Sequence, residues 1–233
     1  MKLYKHFDFT KDTELNRNDW NVAVGKKWAN KEVQQYIDSK ETLYFNNGLV
    51  IRAINDNGVI KSARLNTKDK VFFKHGKIEF TCKVPKGIGT WPAVWMMPQE
   101  AKYGQWPRSG EIDLLEHTAN DMDKFYACLH TEGYNHRNGQ PYDTRFLIDG
   151  LSDDFQTYGF DWNEDKVTYY LNGKEMVTYT KGQEGRDTGH KGWPFNEDFY
   201  FILNLAVGGM FGGKVDYDSF PQEFIVKEIK VYK

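Results

Sequence analysis

The stretch SGEIDLLEHT, residues 109 to 118, sets three acids in an apolar, strand-like run. Side chains alternate between the two faces of a β-strand, so Glu111 and Asp113 share one face and Glu116 falls on the other. A carboxylate buried between sheets without a partner is costly. One extra residue, a β-bulge near Leu114-Leu115, returns Glu116 to the face of the other two acids. The spacing therefore predicts a bulged strand with three acids in a row on one surface.

The rest of the chain also reads as β-structure. Strand-like segments rich in β-branched and aromatic residues are GLVIRAI (48–54), GKIEFTCKV (76–84), KFYACLHT (124–131), KVTYYLNGKEMVTY (166–179), FYFILNLAVGG (199–209) and FIVKEIKVY (224–232). The Asn172-Gly173 pair is a strong hairpin signal. The best helical candidate is only a short turn after Ser152. Many short antiparallel strands predict an all-β sandwich or jelly roll with one face of each sheet on the core.

Composition narrows the possible partners. With 31 basic and 33 acidic residues the net charge is −2, and no basic stripe stands out, so we expect neither nucleic acid nor an anionic membrane as a partner. No run of about 18 apolar residues predicts a membrane span. The 233 residues predict a single domain, 1–233, and we expect a monomer. Cys82 and Cys128 lie in apolar runs and are interpreted as buried free thiols.

The opening residues MKLYKHFDF lack the apolar core of a signal peptide. We expect a secreted or periplasmic location with the signal peptide absent from this sequence, and a cytosolic location stays open.

Three adjacent acids have a chemical use. Like charges repel and push pKa values apart, so that one acid is protonated while another stays ionised. Glycoside hydrolysis needs such a pair: carboxyls about 5–5.5 Å apart give retention through a covalent intermediate, and a wider spacing gives inversion.

A solvated acidic face is the first alternative to this catalytic interpretation, but Ile112 and the two leucines favour a strand in the body of a sheet. A calcium loop is the second, but such loops carry Gly and polar residues between ligands.

Aromatic and polar residues surround the acids in sequence. Trp91 and Trp95 lie upstream in GTWPAVWMMP, and Trp106 almost adjoins the acids in YGQWPRSGE. Their flat rings suit either core packing or stacking on pyranose rings. His130 and Asn204 are polar residues in mostly apolar strands, so each is either a satisfied core residue or a hydrogen-bonding group in a cleft.

These residues resemble a known family. WPAVWMMP followed by YGQWPRSGEIDLLEH resembles glycoside hydrolase family 16, whose signature in its bulged form is E-x-D-x-x-E. The resemblance extends to WANKEVQQYI, SARLNTKDKVFFKHGKIEFTCKV, FQTYGFDWNEDKVTYYLNG, FYFILNLAVGG and FPQEFIVKEIKVY, which look like laminarinase-type members. It implies a jelly roll of two curved antiparallel sheets with the acids on the concave face of a long cleft.

The resemblance also implies residue roles. Glu111 would be the nucleophile, Glu116 the general acid/base, and Asp113 a hydrogen-bonding partner of Glu111 that helps set the proton distribution. The substrate-binding candidates are Trp91, Trp95, Trp106, Arg64, His130, Asn46, Asn204 and Trp193.

The implied activity is that of a retaining endo-hydrolase of β-1,3-glucan, mixed-linkage β-1,3-1,4-glucan, or both. The lineages with the unbulged E-x-D-x-E, Bacillus-type lichenases and plant xyloglucan transglycosylases, disagree with the extra Leu115. Agarases and carrageenases of the family share the bulge and remain an alternative. A sugar-binding module without chemistry is a second alternative, since fold does not fix function.

One position departs from the family pattern. Many relatives bind a structural calcium on the convex side through an acid in the last strand, where this chain has Lys227. Lysine offers no acceptor to a cation. We predict that this calcium site is lost and that Lys227 meets a carboxylate such as Asp8. We expect no catalytic metal and no cofactor, because no His/Asp/Glu set with ligand spacing is visible.

Overall fold

The computed structural model describes residues 1–233 and is built almost entirely from strands. The strands are β1 Leu3–Asp8, β2 Asn21–Ala23, β3 Gln35–Tyr36, β4 Leu43–Phe45, β5 Leu49–Asp56, β6 Val59–Ser62, β7 Arg64–Asn66, β8 Phe72–Phe73, β9 Gly76–Lys83, β10 Thr90–Pro98, β11 Glu111–His117, β12 Lys124–His130, β13 Tyr142–Leu147, β14 Gln156–Trp162, β15 Lys166–Leu171, β16 Lys174–Thr180, β17 Phe199–Val207 and β18 Gln222–Tyr232. Helical structure is limited to α1 Gly209–Gly212 and single 3₁₀ turns at Ala29–Lys31, Ala119–Asp121, Gln183–Gly185 and Tyr217–Ser219. None of these helices is long and apolar enough to cross a membrane.

The strands form two sheets. The ten-stranded sheet has the order β16-β15-β14-β9-β18-β5-β6-β3, with β1 beside β18 and β4 beside β5. The eight-stranded sheet has the order β13-β12-β11-β10-β17-β7-β2, with β8 beside β17. Nearly all pairs are antiparallel, as predicted, but the short strands β3 and β6 pair in parallel at one edge. The predicted jelly-roll sandwich of two antiparallel sheets is confirmed, with this one short parallel pair at its edge.

Local sequence signals are found where they were predicted. Each of the six strand-like segments contains a strand, and the Asn172-Gly173 turn joins β15 to β16. Both turn residues have positive φ, 50° and 80°, which is the conformation that an Asn-Gly hairpin turn requires. The turn after Ser152 is not helical.

The core lies between the sheets and contains 45 buried apolar residues. Strand alternation divides β10 between this core and the outer face. Val94 and Met96 belong to the core cluster, whereas Trp95 and its neighbours two residues away point to the opposite side. Both cysteines are buried and unpaired, as predicted.

Candidate active site

Strand β11 contains the predicted bulge. Against β10, Val94 faces Leu115 and Trp95 faces Asp113, so Leu114 has no partner. The register with β12 shifts over the same stretch. Both leucines enter the core, with exposed fractions of 2% and 0%. Because the extra residue is absorbed there, all three acids face the same outer surface.

That surface is a cleft with two lobes that meet at the acids. One lobe, here the Arg64 lobe, has a volume of about 340 Å³ and contains Arg64, Trp95, Trp106, Asn204 and the acid trio. The other, the Tyr126 lobe, has a volume of about 330 Å³ and contains Tyr126, Cys128, His130, Arg145 and Phe211. Glu111, Glu116 and Trp91 line both lobes. A long ligand lying along the cleft would therefore cross the acids near its middle.

Glu116 is held in its protonated form. Burial raises the pKa of Glu116 well above its ordinary value, and the charges of Asp113 and Glu111 raise it further. The indole N–H of Trp91 donates to Glu116 Oε1 at 3.0 Å and fixes the carboxyl in the cleft. These surroundings favour the protonated form of Glu116, which is the form that donates a proton.

Glu111 and Asp113 behave as a pair. Burial raises the pKa of each carboxyl to about 8, and a hydrogen bond between them means that one protonated carboxyl donates to the other. The exposed fraction of the side chain is 17% for Glu111 but only 3% for Asp113. Glu111 is thus the more accessible member of a pair that shares a proton, which matches the nucleophile-and-helper arrangement that the family resemblance implies.

His130 lies beside this pair on β12. Its Nε2 is 3.3 Å from Asp113 Oδ2 and 3.9 Å from Glu111 Oε1. Its presence lowers the pKa of Glu111 and of Glu116, opposing the effect of burial. The register explains its position, because Glu111 and His130 are directly paired across β11 and β12.

Three predicted tryptophans line the cleft. Trp91 contacts Glu116 as described, and Trp95 donates its indole N–H to Asn204 Oδ1 at 2.7 Å. The ring of Trp106 lies 5.2 Å from that of His136, tilted by 33°. Trp91 and Trp95 combine apolar ring faces with N–H groups that are hydrogen-bonded within the site, so the orientation of these two rings is set before a ligand binds.

Arg64 is positioned by aromatic rings. Its guanidinium carbon lies 5.0 Å from the ring centre of Trp28 and 4.8 Å from that of Trp95. Stacked contacts of this kind hold the planar group while leaving its N–H donors free for hydroxyl groups. On β17, Asn204 pairs with Arg64, so both predicted residues lie in one cross-strand row.

Two predicted substrate-binding residues lie away from the cleft. Asn46 is exposed in the turn between β4 and β5, which belong to the ten-stranded sheet. Trp193 is only 3% exposed and packs in the core, where its N–H donates to the carbonyl oxygen of Glu164. The structure therefore places neither residue among those that line the cleft. Neither residue is part of a regular strand of the cleft sheet. Strand alternation therefore could not predict whether its side chain points toward the cleft.

Other residues at the cleft were not predicted. They are Asn30, Glu32, His136 and Arg137, in loops and a 3₁₀ turn, and Phe211, in the short helix α1. The guanidinium carbon of Arg137 lies 4.5 Å from the ring centre of Trp106. Loops lack the period-2 signal of strands, so nothing local places these side chains. Tyr126 was detectable, because it lies two residues from Cys128 and four from His130 on the same face of β12.

The last strand does not form the predicted ion pair. The Lys227 ammonium lies 4.2 Å from the centre of the Phe155 ring. Asp8 instead forms an ion pair with Lys11 at 2.9 Å and accepts hydrogen bonds from Thr10. The Lys227–Asp8 pairing is therefore wrong. A lysine at this position does not fit the oxygen ligand set of Ca²⁺, and loss of the calcium site stays a prediction.

A two-sheet sandwich with paired carboxyls and tryptophans in an open cleft defines a carbohydrate-active β-sandwich protein. Comparison with known proteins gives the family. Residues 19–198 match the model of glycosyl hydrolases family 16. The chain is 31% identical to a beta-glucanase of Rhodothermus marinus over 97% of this chain and 82% of that protein. It is 36% identical to a glucan endo-1,3-beta-glucosidase of Cryptopygus antarcticus over 85% of this chain and 78% of that protein.

A solved structure shows the same architecture. The laminarinase of Flavobacterium sp. UMI-01 superposes with a TM-score of 0.92 at 34% identity, covering 100% of both chains. The chain belongs to glycosyl hydrolases family 16, and its fold is the jelly roll that the sequence resemblance implied.

Proposed function

We propose that this protein is a retaining endo-β-glucanase that hydrolyses β-1,3-glucans, mixed-linkage β-1,3-1,4-glucans, or both, by double displacement. The observation that carries the proposal is the position of Glu111, Asp113 and Glu116 at the junction of two cleft lobes. Names of relatives in the family, a beta-glucanase and a glucan endo-1,3-beta-glucosidase among them, support a β-glucan as the substrate.

In the first step Glu111 attacks the anomeric carbon while Glu116 transfers its proton to the glycosidic oxygen. The carbon–oxygen bond breaks, the aglycone leaves as an alcohol, and the glycone is held as an ester of Glu111. The raised pKa of Glu116 provides the proton at neutral pH. Asp113 takes up the proton that it shares with Glu111, which leaves Glu111 as the carboxylate that attacks.

In the second step the roles of Glu116 reverse. Its carboxylate removes a proton from a water molecule, and the resulting oxygen attacks the anomeric carbon and releases Glu111. Two inversions at the same carbon give overall retention. Trp91 holds Glu116 on the same spot in both steps through its N–H, so one residue serves as acid and then as base.

The two lobes support endo cleavage. Rings and polar groups line the cleft on both sides of the acids, so glucose units bind before and after the bond that breaks. We infer that the Arg64 lobe holds the glycone, because Trp95 and Arg64 provide a stacking face and hydroxyl-binding donors there. The Tyr126 lobe then holds the aglycone.

Chemical rescue tests the two roles. Glu111→Ala and Glu116→Ala are each assayed on an aryl β-laminaribioside with a good leaving group in the presence of azide. Without the acid/base, azide attacks the glycosyl-enzyme and gives the β-azide. Without the nucleophile, azide displaces the leaving group directly and gives the α-azide. The reverse pattern of anomers would overturn the role assignment. Glu197→Gln, a buried acid outside the cleft, serves as control and keeps wild-type activity.

Product analysis tests the substrate. Laminarin and mixed-linkage β-glucan are digested, and reducing ends and linkages of the products are determined. We expect internal cleavage after a β-1,3-bonded glucose. No release from a folded protein that still binds glucan would point to a binding module. No release and no binding would point to agarose or carrageenan as the substrate to test next.

A further inference from the structure

Three metal-binding side chains converge on the floor of the cleft. Cys128 Sγ lies 3.4 Å from His130 Nε2, and the same nitrogen lies 3.3 Å from Asp113 Oδ2. The three ligand atoms are all within 4.8 Å of one another. Strand geometry brings them together: Cys128 and His130 are two residues apart on one face of β12, and Cys128 is directly paired with Asp113 on β11.

The spacing of these atoms fits a tetrahedral metal. With Zn–S near 2.3 Å and Zn–N and Zn–O near 2.1 Å, a tetrahedron has an S–N edge of about 3.6 Å and an N–O edge of about 3.4 Å. The observed distances of 3.4 and 3.3 Å are within about 0.2 Å of these edges. The third distance, between the sulfur and the carboxylate oxygen, is no more than 4.8 Å.

The site has an unused acceptor and a path of entry. Asp113 Oδ2 has no hydrogen-bond partner although the residue is only 2% exposed. A buried carboxylate oxygen without a donor is costly, and a cation would remove that cost. Cys128 and His130 line the Tyr126 lobe, so an ion reaches them from the cleft. We expect a water molecule from the cleft to serve as the fourth ligand.

We propose that Asp113, Cys128 and His130 form an inhibitory site for a thiophilic divalent cation such as Zn²⁺. On binding, the Cys128 thiol releases its proton to solvent and the thiolate, the imidazole and the carboxylate become three ligands. Thiolate and imidazole ligands select this class of ion over Ca²⁺ and Mg²⁺, which require oxygen ligands.

Occupancy blocks catalysis in two ways. The ion removes Asp113 from its hydrogen bond with Glu111 and ties His130 to the metal. It also adds one net positive charge, the two charges of the ion less the thiol proton released, beside a reaction centre at which the transition state itself becomes positively charged. The inhibition therefore presupposes the proposed hydrolase activity, whereas the binding of the metal does not.

The two buried cysteines provide a matched pair for the binding test. Cobalt(II) is titrated into metal-free wild-type protein, Cys128→Ala and Cys82→Ala, and thiolate-to-cobalt charge-transfer absorption is recorded in the near ultraviolet. We expect the band in wild type and in Cys82→Ala, since Cys82 lies in the core and faces no other ligand. We expect no band in Cys128→Ala. Absence of the band in wild type, or its persistence in Cys128→Ala, would overturn the site.

Inhibition is then measured on the same three proteins. Each rate on laminarin is normalised to that protein's own rate without metal, and Zn²⁺ is added and afterwards removed with EDTA. We expect the half-inhibitory Zn²⁺ concentration to rise at least about tenfold in Cys128→Ala, and to stay within about twofold in Cys82→Ala. Equal inhibition of wild type and Cys128→Ala would show that zinc acts elsewhere and would refute the inhibitory role. A cobalt band in a protein without glucanase activity would refute the proposed function and leave the metal site standing.

Discussion

Each of the two sheets contains a bulge opposite a buried cysteine, and the two bulges have different consequences. In β11 the extra residue lies where Asp113 pairs with Cys128, and it turns Glu116 into the cleft. In β18 the register shifts between Val226, which pairs with Cys82, and Glu228. There the extra residue is Lys227, whose ammonium rests on the Phe155 ring.

A β-bulge therefore has a different consequence in each of the two sheets. Each bulge turns outward a charged side chain that strict alternation would bury: Glu116 in β11 and Glu228, the residue after Lys227, in β18. The β11 bulge adds its acid to two others in a cleft lined by tryptophans, whereas the β18 bulge places a lysine against one aromatic ring on the outside of the sandwich. What a bulge contributes depends on which neighbours the sheet places around the redirected side chain.

The largest expected difference between the two bulges is in activity. Glu116→Gln and Lys227→Gln each remove one charge from a bulge with little change in size. We expect kcat on laminarin to fall about 10²- to 10⁴-fold in Glu116→Gln, because the general acid is lost. Lys227→Gln is expected to stay within about twofold of wild type, since the residue lies far from the cleft. Comparable losses in both variants would mean that the bulges act on the fold alone.

The buried leucines of the β11 bulge are expected to contribute to the stability of the whole protein. Leu115→Ala removes a fully buried side chain, with an expected loss of about 2–5 kcal/mol in the free energy of unfolding. That corresponds to a fall in Tm of about 4–20 °C for a chain of this size. Leu147→Ala provides the control, since this leucine is 74% exposed and is expected to shift Tm by no more than about 2 °C. Thermal melts of the two variants check the difference.

The raised pKa of Glu116 predicts a pH dependence of the protein's thermal stability. Because burial raises the pKa of Glu116, the native protein binds more protons than the unfolded chain between the two pKa values. Stability from this group is fully present below the unfolded pKa and is lost as pH rises toward the native pKa. Glutamine does not ionise, so Glu116→Gln does not lose stability in this way. The difference between the Tm of Glu116→Gln and the Tm of wild type is therefore expected to rise by about 3 °C or more from pH 4.5 to pH 8. A difference that stayed constant with pH would contradict the raised pKa.

The smallest expected effect concerns calcium. Because the family resemblance implies a calcium-binding acid at the position of Lys227, we expect Tm to be the same in EDTA and in millimolar calcium. A fall in EDTA that calcium restores would refute the predicted loss of the site. Lys227→Gln measured alongside shows whether the lysine itself is what excludes the ion.

Much of the fold follows from local signals in the sequence. Period-2 alternation and the Asn172-Gly173 pair place the strands and the hairpin because a strand and its turn depend on neighbouring residues only. The bulge is equally local: three acids at spacings of two and three residues leave no other arrangement that keeps Glu116 out of the core. The direction of Trp91, Trp95 and Asn204 also follows, since each lies within a regular strand.

The differences between prediction and structure fall where no such signal exists. Trp193 lies outside the strands, and a tryptophan there enters the core or the cleft depending on what packs against it. His136, which lines the cleft, and Trp28, which stacks on Arg64, are likewise loop residues. The Lys227–Asp8 pair failed because long side chains at a sheet surface choose among several partners, and Asp8 has a nearer one in Lys11.

The sequence by itself determined the all-β class, the bulged strand and the acid trio, because these depend on alternation and on the cost of burying a charge. Only the tertiary structure decided which loops enclose the cleft and which residues meet across strands. Asp113, Cys128 and His130 illustrate the second group, since only the register between β11 and β12 brings the three together. Register is a property of the paired strands, and neither strand specifies it alone.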